Sequence, residues 1–225
     1  MDALFGLILI GMMAVITWCV ASEGAWGASL TFLCVLFAGL LTMNFFEPIA
    51  AFIEDKGGNF LAPYADLLAF VGLFAGLTFL GRLATDTIAP TDIELDGRVQ
   101  QVARWLLAGA TAYTTVAILL TAVHTAPLPR KFIGFRPEGD NLFEAAAPDR
   151  QWLGFVQYVS ERVLTTGRIF DGPRATFEGT EQRVWPSFPI RYATRRDDIA
   201  SGTARKAPSG GGAAPSAAPA APPSF

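Results

Sequence analysis

Residues 67–81, LLAFVGLFAGLTFLG, carry no charge, and together with their flanks they form a run that can cross a hydrocarbon core of about 30 Å as a helix. On such a helix Ala65, Ala69, Gly72 and Gly76 share one face. Small side chains there let a second helix come close. Helices associate in lipid by this close fit, because burying apolar surface gives no net drive in that solvent.

Three more apolar runs surround this one. Residues 3–22 are uncharged, and no basic residue precedes them, so a retained span is favoured over a signal peptide. Residues 24–46 form a second uncharged run, joined to the first so closely that the two helices must be antiparallel neighbours. The third span covers residues 61–81 and the fourth residues 105–123. In the fourth, Trp105 sits where an interfacial aromatic belongs, and Ala108 and Ala112 repeat the small-residue spacing. Thr111, Thr114, Thr115 and Thr121 can bond to their own helix or to a neighbour. The expected fold is an all-α membrane protein, with a four-transmembrane-helix bundle over residues 1–130 and a polar, partly disordered C-terminal tail.

Composition agrees with that division. Of the 225 residues 52% are apolar and 16% charged, and most of the charge lies beyond residue 125. A net charge of −3 offers no nucleic-acid footprint. The two cysteines, Cys19 and Cys34, lie inside apolar runs and read as small hydrophobes. With one histidine, His124, there is no His/Cys metal site, and no nucleophile–base constellation is evident. No catalytic residue, metal ligand or cofactor site is therefore expected.

Between the spans, residues 47–58 (EPIAAFIEDKGG) read as an interfacial helix opened by Pro48 and closed by Gly57 and Gly58. Asp66 lies about one turn inside the third span. An intramembrane carboxylate is a functional candidate, but this one is near enough to the end to favour the helix's first turn or the headgroups. Asp86, Asp92, Glu94 and Asp96 form an acidic connector without the remaining positions of a calcium loop, so a solvated loop is expected. His124 ends the fourth span, as an interfacial histidine or as a member of a proton relay.

Past Pro127 and Pro129, the apolar residues Trp152, Phe155, Val156, Val159 and Val163 recur at helical spacing, predicting an amphipathic helix over residues 148–166. It can cover the bundle, lie on the membrane or bind a partner. Residues 167–200 show turn formers and aromatics without a clear period, and residues 201–225 have the Gly/Ala/Pro/Ser composition of a disordered tail. Four spans put both termini on one side. Lys56, Arg130, Lys131 and Arg136 on that side, against Arg82, Arg98 and Arg104 on the other, leave the orientation open.

Several of these features fall in one order. An Asp-containing N-terminus (Met1-Asp2-Ala3) opens directly into a span, and a turn is marked by Gly24 and Gly27. A long second span ends near a proline, and a third closes in FLGR (Phe79 to Arg82). A polar helix then leads into a small-residue-rich fourth span that holds Gly109. Over residues 1–130 this arrangement resembles the colicin V production protein (CvpA) family. The resemblance implies a multi-pass protein of the bacterial inner membrane, a non-catalytic accessory factor in bacteriocin export or envelope processes. Its partners would be the lipid bilayer and either further copies of itself or envelope proteins met through the C-terminal tail. A subunit of an oligomeric small-solute transporter or channel is the alternative, for which Asp66 would be the intramembrane group.

Overall fold

The computed structural model describes residues 2–89, 96–129, 132–136, 139–143, 145–163, 170 and 188–200. Six α-helices occur among them: α1 (Asp2–Ala21), α2 (Gly24–Leu61), α3 (Ala65–Ile88), α4 (Gly97–Thr125), α5 (Pro148–Tyr158) and α6 (Phe188–Ala200). Extended pairing among the described residues is limited to two isolated bridges, Phe132 with Phe135 and Leu142 with Ala146. The first four helices are long and apolar enough to span a membrane. The protein is an all-α, four-span membrane bundle.

α1 matches its expected span, while α2, α3 and α4 exceed the lengths that hydropathy suggests. At 1.5 Å per residue, α2 up to its break at Gly58 extends about 51 Å, well beyond a bilayer core. Residues 47–58 are therefore the projecting end of α2 and not a separate interfacial helix, and Pro48 sits inside it. A proline removes a single intrahelical hydrogen bond, and flanking helix holds the rest. The break falls instead at Gly58, whose φ of +64° and ψ of −174° are open to glycine alone.

α1 and α2 run antiparallel through a two-residue turn that ends on Gly24 at φ +81°. Their main packing, however, is not with each other. α4 lies between them and takes most of the inward face of α1, while α3 packs along the far side of α2. Where α1, α2 and α4 converge, Ala21, Ala28 and Ala108 are buried together, so small side chains bring three backbones close. Thr111, Thr115 and Thr121 turn their hydroxyls back to carbonyls of α4 itself. Cys19 and Cys34 are free thiols.

The main core joins α2, α3 and α4 to the two C-terminal helices. Phe46, Phe70, Phe74 and Ile118 meet Trp152 and Val156 of α5 and Phe188 and Tyr192 of α6. α5 seats closely. A Cβ added to Gly39 would lie 2.6 Å from Ile118 Cδ1 and 2.7 Å from the Trp152 ring, so the missing side chain on α2 makes room for the indole. The expected amphipathic helix is α5, continued by a five-residue π-helical turn, Val159–Val163, and it covers the bundle's own surface. Its last expected positions, 164–166, lie outside the described residues, as does the tail 201–225.

Candidate functional site

The two ends of the bundle are built differently. One end gathers the N-terminus of α1, the projecting part of α2, the start of α3 and the end of α4. At its centre His124 Nε2 lies 2.7 Å from Asp149 Oδ2, with both side chains completely buried. His124 occupies the last turn of α4 and Asp149 the first turn of α5, where Pro148 opens the helix. The Asp149 carboxylate in the first turn of α5 lies where a helix dipole favours an anion. The pair also ties together helices separated by a 22-residue connection, residues 126–147.

That connection delivers an aromatic wall. Residues 132–135 make a tight turn with Ile133 at φ +49° and Gly134 at φ +96°, a conformation strained for a β-branched side chain. The turn sets Phe135 edge-on to the imidazole at a centroid distance of 5.0 Å. Phe188 of α6 approaches the same imidazole at 6.3 Å, and the buried Arg196 guanidinium lies 5.9 Å from the Phe135 ring. Neither His124 Nδ1 nor Asp149 Oδ1 has a hydrogen-bond partner among the described residues.

Beside this pair, α6 is held by charge. Arg195 bridges the buried carboxylates of Asp66 and Glu54, and Arg191 reaches Glu47 Oε1 at 3.2 Å. On the same helix Phe188 and Tyr192 enter the core, their tilted rings 4.6 Å apart between centroids and both against Phe46. Residues 188–200, expected to be aperiodic, thus form a helix whose inward face reads Phe188, Tyr192 and Arg196. The four-residue spacing of those side chains was the available signal. The sequence reading missed the acidic surface that receives the arginines, because its members come from two helices.

The opposite end is open. Arg82 Nη2 on α3 lies 3.2 Å from Glu23 Oε2 and 3.1 Å from Asp86 Oδ1, in a cleft also lined by Trp26, Gly27, Leu30 and Ala89. Trp18 and Trp105 face each other nearby at 6.4 Å, with the Arg104 guanidinium over the Trp105 ring.

Asp66 is buried in the first turn of α3 and ion-paired, at the closed end and away from the middle of the membrane. Ala65 and Ala69 are buried against the main core, and Ala108 and Ala112 are fully buried on α4. Gly72 and Gly76 lie on the exposed face of α3, and a Cβ at either would meet nothing within 4 Å. The six small residues therefore divide between contacts inside the chain and an outward surface. Asp86, expected in a solvated loop, is instead an exposed residue near the end of α3, which runs on past Gly81; Asp96 is exposed, and positions 92 and 94 lie outside the described residues. Among the described residues no group of three or more His, Cys, Asp or Glu could hold a metal ion. Comparison with protein-family models, curated proteins and solved structures finds no match to this chain.

Proposed function

We propose that the chain is a non-catalytic membrane scaffold of CvpA type, acting in bacterial envelope processes or bacteriocin export from the inner membrane. One observation carries the scaffold reading: the buried polar and ionisable side chains at the closed end hold C-terminal helices against the bundle. His124 and Asp149 fasten α5, and Asp66 with Glu54 fastens α6. An intramembrane ionisable group in a transporter serves a path; here each such group serves an attachment. The order of segments over residues 1–130, from Met1-Asp2-Ala3 to the small-residue-rich fourth span, supports the family assignment. Attachment fixes α6 at the closed end of the bundle, and so the end at which envelope partners would meet the C-terminal part of the chain.

Crosslinking with mass spectrometry in native membranes, with the C-terminus tagged and tested for protease access in spheroplasts, examines this reading. A tail cleaved from outside and crosslinked to envelope proteins is the expected result. A protected tail that crosslinks only to further copies of the chain overturns it.

The alternative, a subunit of an oligomeric small-solute transporter, draws on the unpartnered Nδ1 and Oδ1 atoms of the His124–Asp149 pair, which could pass a proton. Solute flux in proteoliposomes separates the readings: a transporter shows flux that Asp66→Asn abolishes, whereas a scaffold shows none in the wild type and Asp66→Asn weakens only the hold on α6 through Arg195.

A further inference from the structure

We propose that the cleft at the open end binds the headgroup of an aminophospholipid of the phosphatidylethanolamine class. The argument starts from charge. Arg82 is flanked by Glu23 and Asp86, so one small site offers a cation and two anions within about one hydrogen bond of each other. A zwitterion that pairs a phosphate with a primary ammonium satisfies both signs at once. A purely anionic headgroup meets two carboxylates, and a purely cationic ligand meets the arginine.

The donors fit the same assignment. Nη2 of Arg82 serves both carboxylates and Nη1 reaches the Gly27 carbonyl at 3.5 Å. A guanidinium carries five N–H groups in a fork suited to phosphate, so donors remain for one. Trp26 supplies an independent sign of a missing partner. It lines the cleft, and its Nε1–H is buried without an acceptor among the described residues. Buried indole N–H groups ordinarily find one. A phosphate oxygen held by Arg82 would provide it once the indole turns toward the cleft. An ethanolamine ammonium, with three N–H donors, would take the carboxylate oxygens that Arg82 does not engage, Glu23 Oε1 and Asp86 Oδ2.

The site is also prepared locally. Glu23 precedes α2 and folds back along its first turns, where Oε2 accepts from the Thr31 hydroxyl at 2.9 Å as well as pairing with Arg82. A Cβ on Gly27 would sit 2.8 Å from Glu23 Cβ, so glycine at that position is what admits the folded-back carboxylate. The cleft measures about 230 Å³. That falls below the roughly 300–1,000 Å³ of drug-sized pockets and suits a headgroup whose chains remain outside. From the cleft, Leu30, Leu33 and Phe37 follow one face of α2 toward the middle of the membrane, the last two exposed. Acyl chains would lie along that stripe. The tryptophans at this end are those of an interfacial belt, the depth at which headgroups reside.

The test uses the full chain in non-ionic detergent, with lipid retention read by native mass spectrometry. Phosphatidylethanolamine, phosphatidylcholine and phosphatidylglycerol of identical chains are the probes. Phosphatidylcholine keeps the charges and loses the ammonium donors, while phosphatidylglycerol loses the cation. The expected result is retention of the ethanolamine lipid at least about tenfold above both, with the preference lost in Asp86→Asn and reduced about fivefold or more in Trp26→Phe. Both variants alter exposed or half-buried positions, and unchanged thermal unfolding would verify that they fold. Equal retention of the three lipids, or a preference that survives both substitutions, overturns the proposal. Free phosphoethanolamine binding as tightly as the lipid also overturns it, since the occupant would then come from solution.

Discussion

The two ends of the bundle use the same residue types to opposite effect. At the closed end, Arg195 meets Asp66 and Glu54 with both carboxylates some nine-tenths buried, and aromatic rings exclude water from the neighbouring His124–Asp149 pair. At the open end, Arg82 meets Glu23 and Asp86, whose side chains remain 38% and 59% exposed. Coulomb attraction rises steeply as the effective dielectric falls, and so does the cost of leaving one member of a pair alone. Burial makes the first set an attachment, since losing any member strands a charge. Exposure makes the second set available, because water or a headgroup can replace any partner at little cost.

The hardest test of this contrast is Asp149→Ala. It leaves a completely buried imidazole without its partner and removes the anion from the first turn of α5. The expected loss is about 3 kcal/mol of stability, seen as a lowered unfolding temperature in detergent and new protease cleavage around α5. Asp149→Asn keeps an acceptor oxygen and should lose only about 1 kcal/mol. If the two variants behave alike, charge and not the hydrogen bond carries the attachment.

The same pair shows where sequence reasoning reaches its limit. The spans are written locally, as uncharged runs whose lengths suit a bilayer, and each run can be recognised without knowledge of any other. α5 was equally readable, from the spacing of Trp152, Val156 and Val159. The attachment of α5 and α6 is different in kind. His124 ends one helix and Asp149 begins another, and Arg195 meets carboxylates more than a hundred residues earlier in the chain. No local pattern encodes such a meeting. The extension of α2 past Pro48 escaped for a related reason: a proline reads as a boundary, while the packing of Ile49, Ala50 and Ile53 against the core and the pairing of Glu47 and Glu54 with α6 hold the helix through it.

A second prediction asks whether the closed end depends on fit as well as charge. Gly39→Ala places a methyl group against the Trp152 ring and Ile118, both too close to accept it without movement. Overpacking of this kind costs about 1–3 kcal/mol, against a gain of up to about 1 kcal/mol from helix propensity. Net destabilisation is expected, and Trp152→Leu in the same chain should recover part of it. A stabilised single variant would mean that α5 does not seat against α2.

The direct comparison is Arg195→Gln beside Arg82→Gln. The first strands two buried carboxylates and should cost about 2 kcal/mol, releasing α6 to added protease. The second removes a partly exposed cation and should cost less than about 1 kcal/mol. Added salt should weaken the wild-type contacts at the open end and leave α6 in place, because screening acts on exposed charge. Equal losses in the two variants would remove the distinction between the ends.

The smallest effect on the folded chain is expected at Gly72 and Gly76, and it has the most to say about what surrounds the bundle. Ala65 and Ala69, at the start of the same helix, are sealed inside the protein, whereas the two glycines face outward with nothing near them. Replacing both with leucine should leave the unfolding temperature of the single chain unchanged or slightly raised, since each exchange adds up to about 1 kcal/mol of helix propensity. If lipid alone covers that face, the particle mass in detergent will also stay the same. A helix of a second copy seated against the glycines would be pushed away by the leucines, and the particle mass would fall to that of one chain. A double variant that unfolds more readily as a single chain would place the face inside the protein, contrary to the open surface seen at both positions.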